Sequence, residues 1–219
     1  MFYREFVRHI IKSGFKRPKE FQYYSNIYSE NFISELEKLL DNNNPDHVIT
    51  QSEGNDIRKI YFTDNKVFES EYLIKILRDS GYDNYQLAFI VYGFLDGSVP
   101  NIGSGEGWHR DAWFDQYKEI LFLSDVNELN GPYEYVPGSS SYYSKLVHVL
   151  TNKSTRISNV PNHKKSIKVI AKRGDKVSFD ATIIHRGSPI FQGSRKALTF
   201  YFYPKFSNIE KIKNKFKNN

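Results

Sequence analysis

Leu87-Ala88-Phe89-Ile90-Val91-Tyr92 is an unbroken apolar run, closed by Gly93. It is short and rich in β-branched and aromatic residues, so it predicts a buried strand rather than a helix. Further strands are predicted downstream over 119–123, 133–136, 166–171, 176–179, 182–185 and 196–203, with a helix over 139–150. Many short strands divided by Gly and Pro turns predict a β-sandwich or barrel. Upstream, helical apolar spacing covers 3–13, 29–40 and 69–79. The second of these has Ser29 as a cap and a stripe of Phe32, Ile33, Leu36, Leu39 and Leu40. The fold class predicted is therefore mainly β with flanking helices (α+β). With no repeat or linker, one domain over 1–219 is expected. It comprises a largely helical part (1–85) packing on the sheet, a β core (86–204) and a basic tail (205–219).

The 219 residues include 16 Tyr and 17 Phe, ample aromatic surface for a sizeable core. Without cysteine, disulfides, thiolate metal sites and a cysteine nucleophile are excluded. The chain shows no membrane-spanning run and no signal peptide, which suits a cytoplasmic protein. Net charge is +6, with cations gathered at the ends: Arg4, Arg8, Lys12, Lys16, Arg17 and Lys19, then Lys211, Lys213, Lys215 and Lys217. Charge runs are usually solvated faces. They also allow attraction to an anionic substrate, or peripheral membrane association through an amphipathic N-terminal helix carrying Phe2, Phe6, Ile10 and Ile11. A helix packed on the domain would show the same pattern.

After the Leu87–Tyr92 run, a glycine-rich loop over 96–107 delivers Gly107-Trp108-His109-Arg110-Asp111. On extended backbone, residues i and i+2 point to one side, so His109 and Asp111 can converge on a point. His185, at the end of a mostly apolar stretch and before the turn Arg186-Gly187-Ser188-Pro189, can complete two histidines and one carboxylate. That set selects Fe(II) in oxygen-activating enzymes because it leaves three adjacent positions open. Arg195 supplies a cation suited to gripping a carboxylate through two parallel hydrogen bonds. His9, His47, His148 and His163 lack such context and read as surface or packing residues.

Taken with Lys118-Glu119-Ile120-Leu121-Phe122-Leu123-Ser124-Asp125-Val126, Asn130-Gly131-Pro132-Tyr133-Glu134-Tyr135-Val136-Pro137-Gly138-Ser139, Lys172-Arg173-Gly174-Asp175, Phe179-Asp180, and His185 through Thr199, the His109–Asp111 segment resembles the phytanoyl-CoA dioxygenase-like family. The resemblance covers about residues 86–204. It implies a double-stranded β-helix (jelly-roll, cupin-like) core. It also implies an Fe(II)- and 2-oxoglutarate-dependent dioxygenase that uses O2. His109, Asp111 and His185 would be the catalytic iron ligands, and Arg195 would hold the distal carboxylate of 2-oxoglutarate. Ser188 and Tyr92 are further candidates for binding that co-substrate, although family members carry the hydroxyl where this chain has Gly187. Lys118 could face the pocket or stand as an exposed strand lysine. Related halogenases replace the carboxylate ligand with a small residue. Asp111 therefore implies hydroxylation, or a desaturation or ring closure that begins with the same hydrogen abstraction.

Rival readings are an oxygenase acting on nucleic acid, a non-catalytic ligand-binding protein on the same fold, and a cupin with another metal. The first would carry a second arginine where this chain has Tyr201. The second has no physical reason to keep His109, Asp111, His185 and Arg195 together. The third leaves Arg195 unexplained. The expected substrate is a small metabolite or a glycan-related molecule. Its mouth is expected at 97–106 with Trp113, Phe114, Tyr142 and Tyr143.

Overall fold

The computed structural model describes residues 2–14, 18–42, 48–53, 56–80, 84–97, 107–151, 154–157 and 165–217. In chain order the elements are α1 (Phe2–Ser13), β1 (Phe21–Tyr24), α2 (Glu30–Asn42), β2 (Val48–Glu53), β3 (Asp56–Phe62), α3 (Glu71–Arg78), β4 (Tyr85–Asp96), β5 (Tyr117–Phe122), β6 (Tyr133–Tyr135), α4 (Tyr142–Thr151), β7 (Ile167–Val169), β8 (Lys176–Asp180), β9 (His185–Gly187), β10 (Ser194–Pro204) and α5 (Ile209–Lys217). Seven strands form one sheet in the order β1-β8-β5-β10-β4-β3-β2, and β7-β6-β9 form a second. All the strand pairs are antiparallel. The sheets face each other. Phe122, Val177 and Phe179 of the large sheet share a buried cluster with Tyr133, Tyr135 and Val169 of the small one. This is the jelly-roll layout of two antiparallel sheets.

The period-2 alternation of strands sorts the large sheet into two faces. Ile90, Tyr92, Leu121, Leu198 and Phe200 pack outward against Ile33, Leu36 and Leu40 of α2 and Leu73 and Ile76 of α3. Phe89, Val91, Gly93, Leu95, Lys118, Ile120, Phe122, Arg195, Ala197, Thr199 and Tyr201 face inward and line a cavity of about 510 Å³. The α2 stripe is as expected, and its cap forms, with Phe32 N–H donating to Ser29 Oγ at 3.3 Å. Leu36 is fully buried, so Leu36→Ala is expected to cost about 2–5 kcal/mol, read as a shift in the urea midpoint at constant slope.

Two expectations are corrected. The first 85 residues are not only helical, because β1 pairs with β8 and the β2–β3 hairpin extends the large sheet beyond β4. Glu53 pairs with Asp56, so the register of β2 on β3 runs to the ends of both strands. The basic C-terminal segment forms α5, and Ile209 and Ile212 pack on Ile60, Phe62 and Phe89. In the turn before β8, Gly174 has φ +90°, and a Cβ there would lie 2.6 Å from Tyr28 O. Only glycine fits that backbone.

Helix α1 is packed on the domain. Phe2 meets Trp113 and Phe114, and Phe6 meets Phe114 and Tyr142, at centroid distances of 5.3–6.0 Å. Phe2 and Phe6 of the face that suggested membrane attachment are thereby packed on the fold, while Ile11 stays exposed. No helix among the described residues is long and apolar enough to cross a membrane.

Candidate metal centre

His109 and His185 face each other across a short antiparallel bridge between the loop after β4 and strand β9. Each backbone N–H donates to the other's carbonyl at 2.9 Å. Asp111 is held next to them, its N–H donating to Ala181 O at 3.1 Å. One ligand atom from each of His109, Asp111 and His185 lies within 4.8 Å of the others, a group able to hold a metal ion. His109 Nε2 stands 3.7 Å from Asp111 Oδ1, and His185 Nε2 stands 3.2 Å from Asp111 Oδ2.

The protonation pattern shows what this group is built for. His109 Nδ1 bonds Gly107 O and His185 Nδ1 bonds Ile183 O, both at 2.9 Å. A carbonyl can only accept, so both Nδ1 atoms carry the proton. In a neutral ring, Nε2 then presents its lone pair, the tautomer that metal-bound histidines use. Burial lowers the pKa of His185, with Asp111 opposing, so the ring favours its neutral form. Burial alone would raise the Asp111 carboxyl, but Lys118 and His185 beside it hold it well below the usual carboxylate range. A neutral imidazole lone pair facing an ionised carboxylate calls for a cation between them. The residues present therefore fit a divalent metal.

Lys118 is buried, not an exposed strand lysine. Its Nζ lies 2.8 Å from Asp111 Oδ2 and 4.2 Å from the centre of the Tyr201 ring. Strand β5 has neighbours on both edges, so its inward residues, Lys118 among them, reach the cavity. Burial lowers the basicity of this ammonium, but Asp111 and Tyr201 together more than offset that, and its pKa is raised.

Arg195 also lines the cavity, further along β10 and opposite Leu95. Burial pushes its pKa down to about 10; Arg58 adds to the shift and Asp56 opposes it. Tyr92 and Ser188 are not with this group. Tyr92 is on the outward face among Tyr61, Leu198 and Leu36, because it alternates with the inward Val91 and Gly93. Ser188 Oγ donates to Glu134 Oε2 at 2.8 Å, and the cavity-lining residue after His185 is Gly187. The proposed mouth aromatics are displaced too. Trp113, Phe114 and Tyr142 are occupied by α1, whereas Tyr143 is exposed. Residues 98–106, His47 and His163 lie outside the described residues.

The family model for phytanoyl-CoA dioxygenase (PhyH) matches residues 87–197, about half of the chain. The chain belongs to the phytanoyl-CoA dioxygenase family. Several solved structures share its fold. HygX from Streptomyces hygroscopicus, solved with nickel and 2-oxoglutarate, aligns at TM-score 0.57 with 16% identity over 93% of this chain and 87% of its own. The α-ketoglutarate-dependent epimerase SnoN of nogalamycin biosynthesis aligns at 0.58 with 14% identity, covering 93% and 83%. EctD from S. alaskensis, with bound Fe, aligns at 0.57 with 15% identity, covering 85% and 73%. No curated protein matches the sequence.

Within this phytanoyl-CoA dioxygenase family member, sequence reasoning passed over three residues. Arg110, between the two candidate ligands of its loop, turns the opposite way and is 1% exposed. Its Nε donates to His148 Nδ1 at 2.9 Å, Nη1 to Ser139 O at 2.6 Å and to Thr182 O, and Nη2 to Ser144 Oγ at 3.0 Å. It ties the His109–Asp111 loop to the segment that leads into His185. Tyr133 lines the cavity beside His185, and its buried hydroxyl makes no hydrogen bond among the described residues. His9, taken for a surface or packing residue, is 1% exposed; it bonds Asp115 through Nδ1 and the Tyr142 hydroxyl through Nε2 at 2.8 Å. The run Asp56-Ile57-Arg58-Lys59-Ile60-Tyr61-Phe62 carried enough β-branched and aromatic character to signal a strand. No comparable signal marks Arg110.

Proposed function

We propose that the chain is an Fe(II)- and 2-oxoglutarate-dependent dioxygenase that hydroxylates a small metabolite or a glycan-related substrate. The observation that carries this reading is the converging set of His109, Asp111 and His185, with both Nδ1 protons committed to backbone carbonyls. Family membership supports it. When bound, Fe(II) with 2-oxoglutarate supplies oxidation of a substrate C–H bond to C–OH by O2, while the keto acid becomes succinate and CO2.

The residues of this chain have separate tasks in that reading. His109 and His185 offer Nε2, and Asp111 offers a carboxylate oxygen. Lys118 keeps Asp111 ionised and orients it through its contact with Oδ2. Arg195 grips the distal carboxylate of the keto acid by charge-assisted hydrogen bonds. The Tyr133 hydroxyl is available to bond a ligand in the cavity. The apolar floor of Phe89, Val91 and Ile120 restricts water around the reacting carbon. A cavity of about 510 Å³ falls in the range of small-molecule sites, roughly 300–1,000 Å³. Among structures of similar fold, one of HygX holds hygromycin B and one of SnoN holds nogalamycin RO, which favours a small-molecule substrate over nucleic acid.

The test is turnover without the primary substrate. Protein with Fe(II), 2-oxoglutarate and O2 is expected to form succinate slowly, and His185→Ala is expected to form none. Equal succinate from both would remove the assignment.

A further inference from the structure

The cavity that Arg195 lines holds a second arginine, Arg58. On the inward face of the large sheet, Arg58 of β3 is opposite Gly93 of β4, and Gly93 is opposite Ala197 of β10. Two residues from Ala197 on the same face stands Arg195. Arg58, Gly93, Ala197 and Arg195 all line the one cavity. Two inter-strand spacings and one two-residue step separate the Cα atoms of the arginines by about 12 Å, a gap their long side chains close from both ends.

The floor between them is made of two small residues, Gly93 and Ala197. A Cβ built on Gly93 would find no atom nearer than Ala197 O at 3.9 Å. Nothing in the packing of the described residues demands glycine there, and its φ is not in the left-handed region. What glycine provides is clear space over β4 between two guanidiniums. Arg58 and Arg195 face one partly enclosed space and repel each other, Asp56 offsets only part of that, and an anion between them relieves the rest. Gln51 of β2, opposite Arg58, continues the polar lining.

We propose that Arg58 and Arg195 form a two-arginine clamp, with Gly93 and Ala197 as its floor, for the distal carboxylate of the 2-oxo acid co-substrate. This rests on the dioxygenase reading above. Arg58 belongs to the β2–β3 hairpin, outside the residues 87–197 that match the family model, so the clamp is an addition to the family's shared segment. Arg195 supplies one fork and Arg58 the other, and each guanidinium can take a carboxylate oxygen. The consequence is selectivity for a dicarboxylic 2-oxo acid over one that lacks the distal carboxylate.

The experiment is calorimetric binding to the anaerobic Fe(II)-loaded protein, with 2-oxoglutarate and, separately, with 2-oxobutanoate. Arg58→Gln is expected to raise the Kd for 2-oxoglutarate about tenfold or more, the worth of a charge-assisted hydrogen bond. It is expected to leave the Kd for 2-oxobutanoate within about twofold. Gly93→Val, which suits a strand and whose Cβ comes no nearer than 3.9 Å to Ala197 O, is expected to weaken 2-oxoglutarate in the same selective way by filling the floor. If Arg58→Gln binds 2-oxoglutarate as tightly as wild type, the clamp is overturned and Arg58 is left to serve an anionic group of the primary substrate. If both keto acids weaken equally, the effect is not on the distal carboxylate, and the clamp is likewise overturned. Failure of the wild-type protein to bind 2-oxoglutarate at all is a different result, and it sinks the dioxygenase reading itself.

Discussion

Asp111→Ala is expected to abolish turnover and to weaken Fe(II) binding by well over 100-fold, since losing even an outer hydrogen-bond partner of a metal ligand costs 10–100-fold. Calorimetric titration of Fe(II) under argon measures it. The same change leaves Lys118, buried against Asp111 at 2.8 Å, without its anion. Removing one partner of a buried pair typically costs about 3–5 kcal/mol. Metal loss and instability can be separated by adding Lys118→Met. The double variant is expected to regain most of the lost stability, because a linear apolar side chain replaces an orphaned ammonium, and to regain none of the metal affinity. Recovery of metal binding in the double variant would show that Asp111 acts only as the counter-ion of Lys118.

Arg110→Ala carries the second large effect. Four hydrogen bonds from one buried guanidinium connect the His109–Asp111 loop to Thr182, Ser139 and α4. Truncation leaves two carbonyls, a hydroxyl and the His148 ring without that donor in a dry site. The expected cost is about 3–5 kcal/mol in chemical denaturation. Because Thr182 is three residues before His185 and the Ile184 N–H donates to Ser139 Oγ at 2.8 Å, Fe(II) affinity should fall as well, in the 10–100-fold range of other supporting residues. Arg110→Lys keeps the charge but cannot span four partners from a single ammonium, so an intermediate loss is expected. Unchanged metal affinity in a folded Arg110→Ala protein would confine Arg110 to stability.

How much was legible in the sequence follows from the range of each interaction. The His109 and Asp111 convergence was readable because i, i+2 geometry is local; His185 joins them from the start of β9, not from the end of the strand expected over 182–185, whose first residues form a turn. The Leu87–Tyr92 run and the α2 stripe were readable for the same reason. Tyr92 and Ser188 misled because a one-residue difference in alternation decides which face a side chain joins. Val91 and Gly93 look into the cavity, and Tyr92 looks at α2. Arg110 was invisible because its partners are scattered over Ser139, Ser144, His148 and Thr182. Lys118 looked like an exposed lysine because lysines are rarely buried. Only the register of β5 between β8 and β10 shows that it reaches Asp111.

The N-terminal helix makes the same point about composition. Its cations and apolar residues satisfy the pattern of an interfacial helix and of a packed helix equally. The aromatic cluster of Phe2, Phe6, Trp113, Phe114 and Tyr142 decides for packing. It also places α1 directly behind the loop that carries His109 and Asp111, two residues before Trp113. The N-terminal segment therefore supports the candidate centre from outside the matched region.

The most direct test of the central claim is optical. Anaerobic protein is mixed with Fe(II) and then with 2-oxoglutarate, and the visible spectrum is followed for the charge-transfer band of an iron-chelated keto acid. The account predicts a band in wild type, its loss in His109→Ala, and a need for far more keto acid in Arg195→Ala. A folded, iron-binding wild type that develops no band would contradict it.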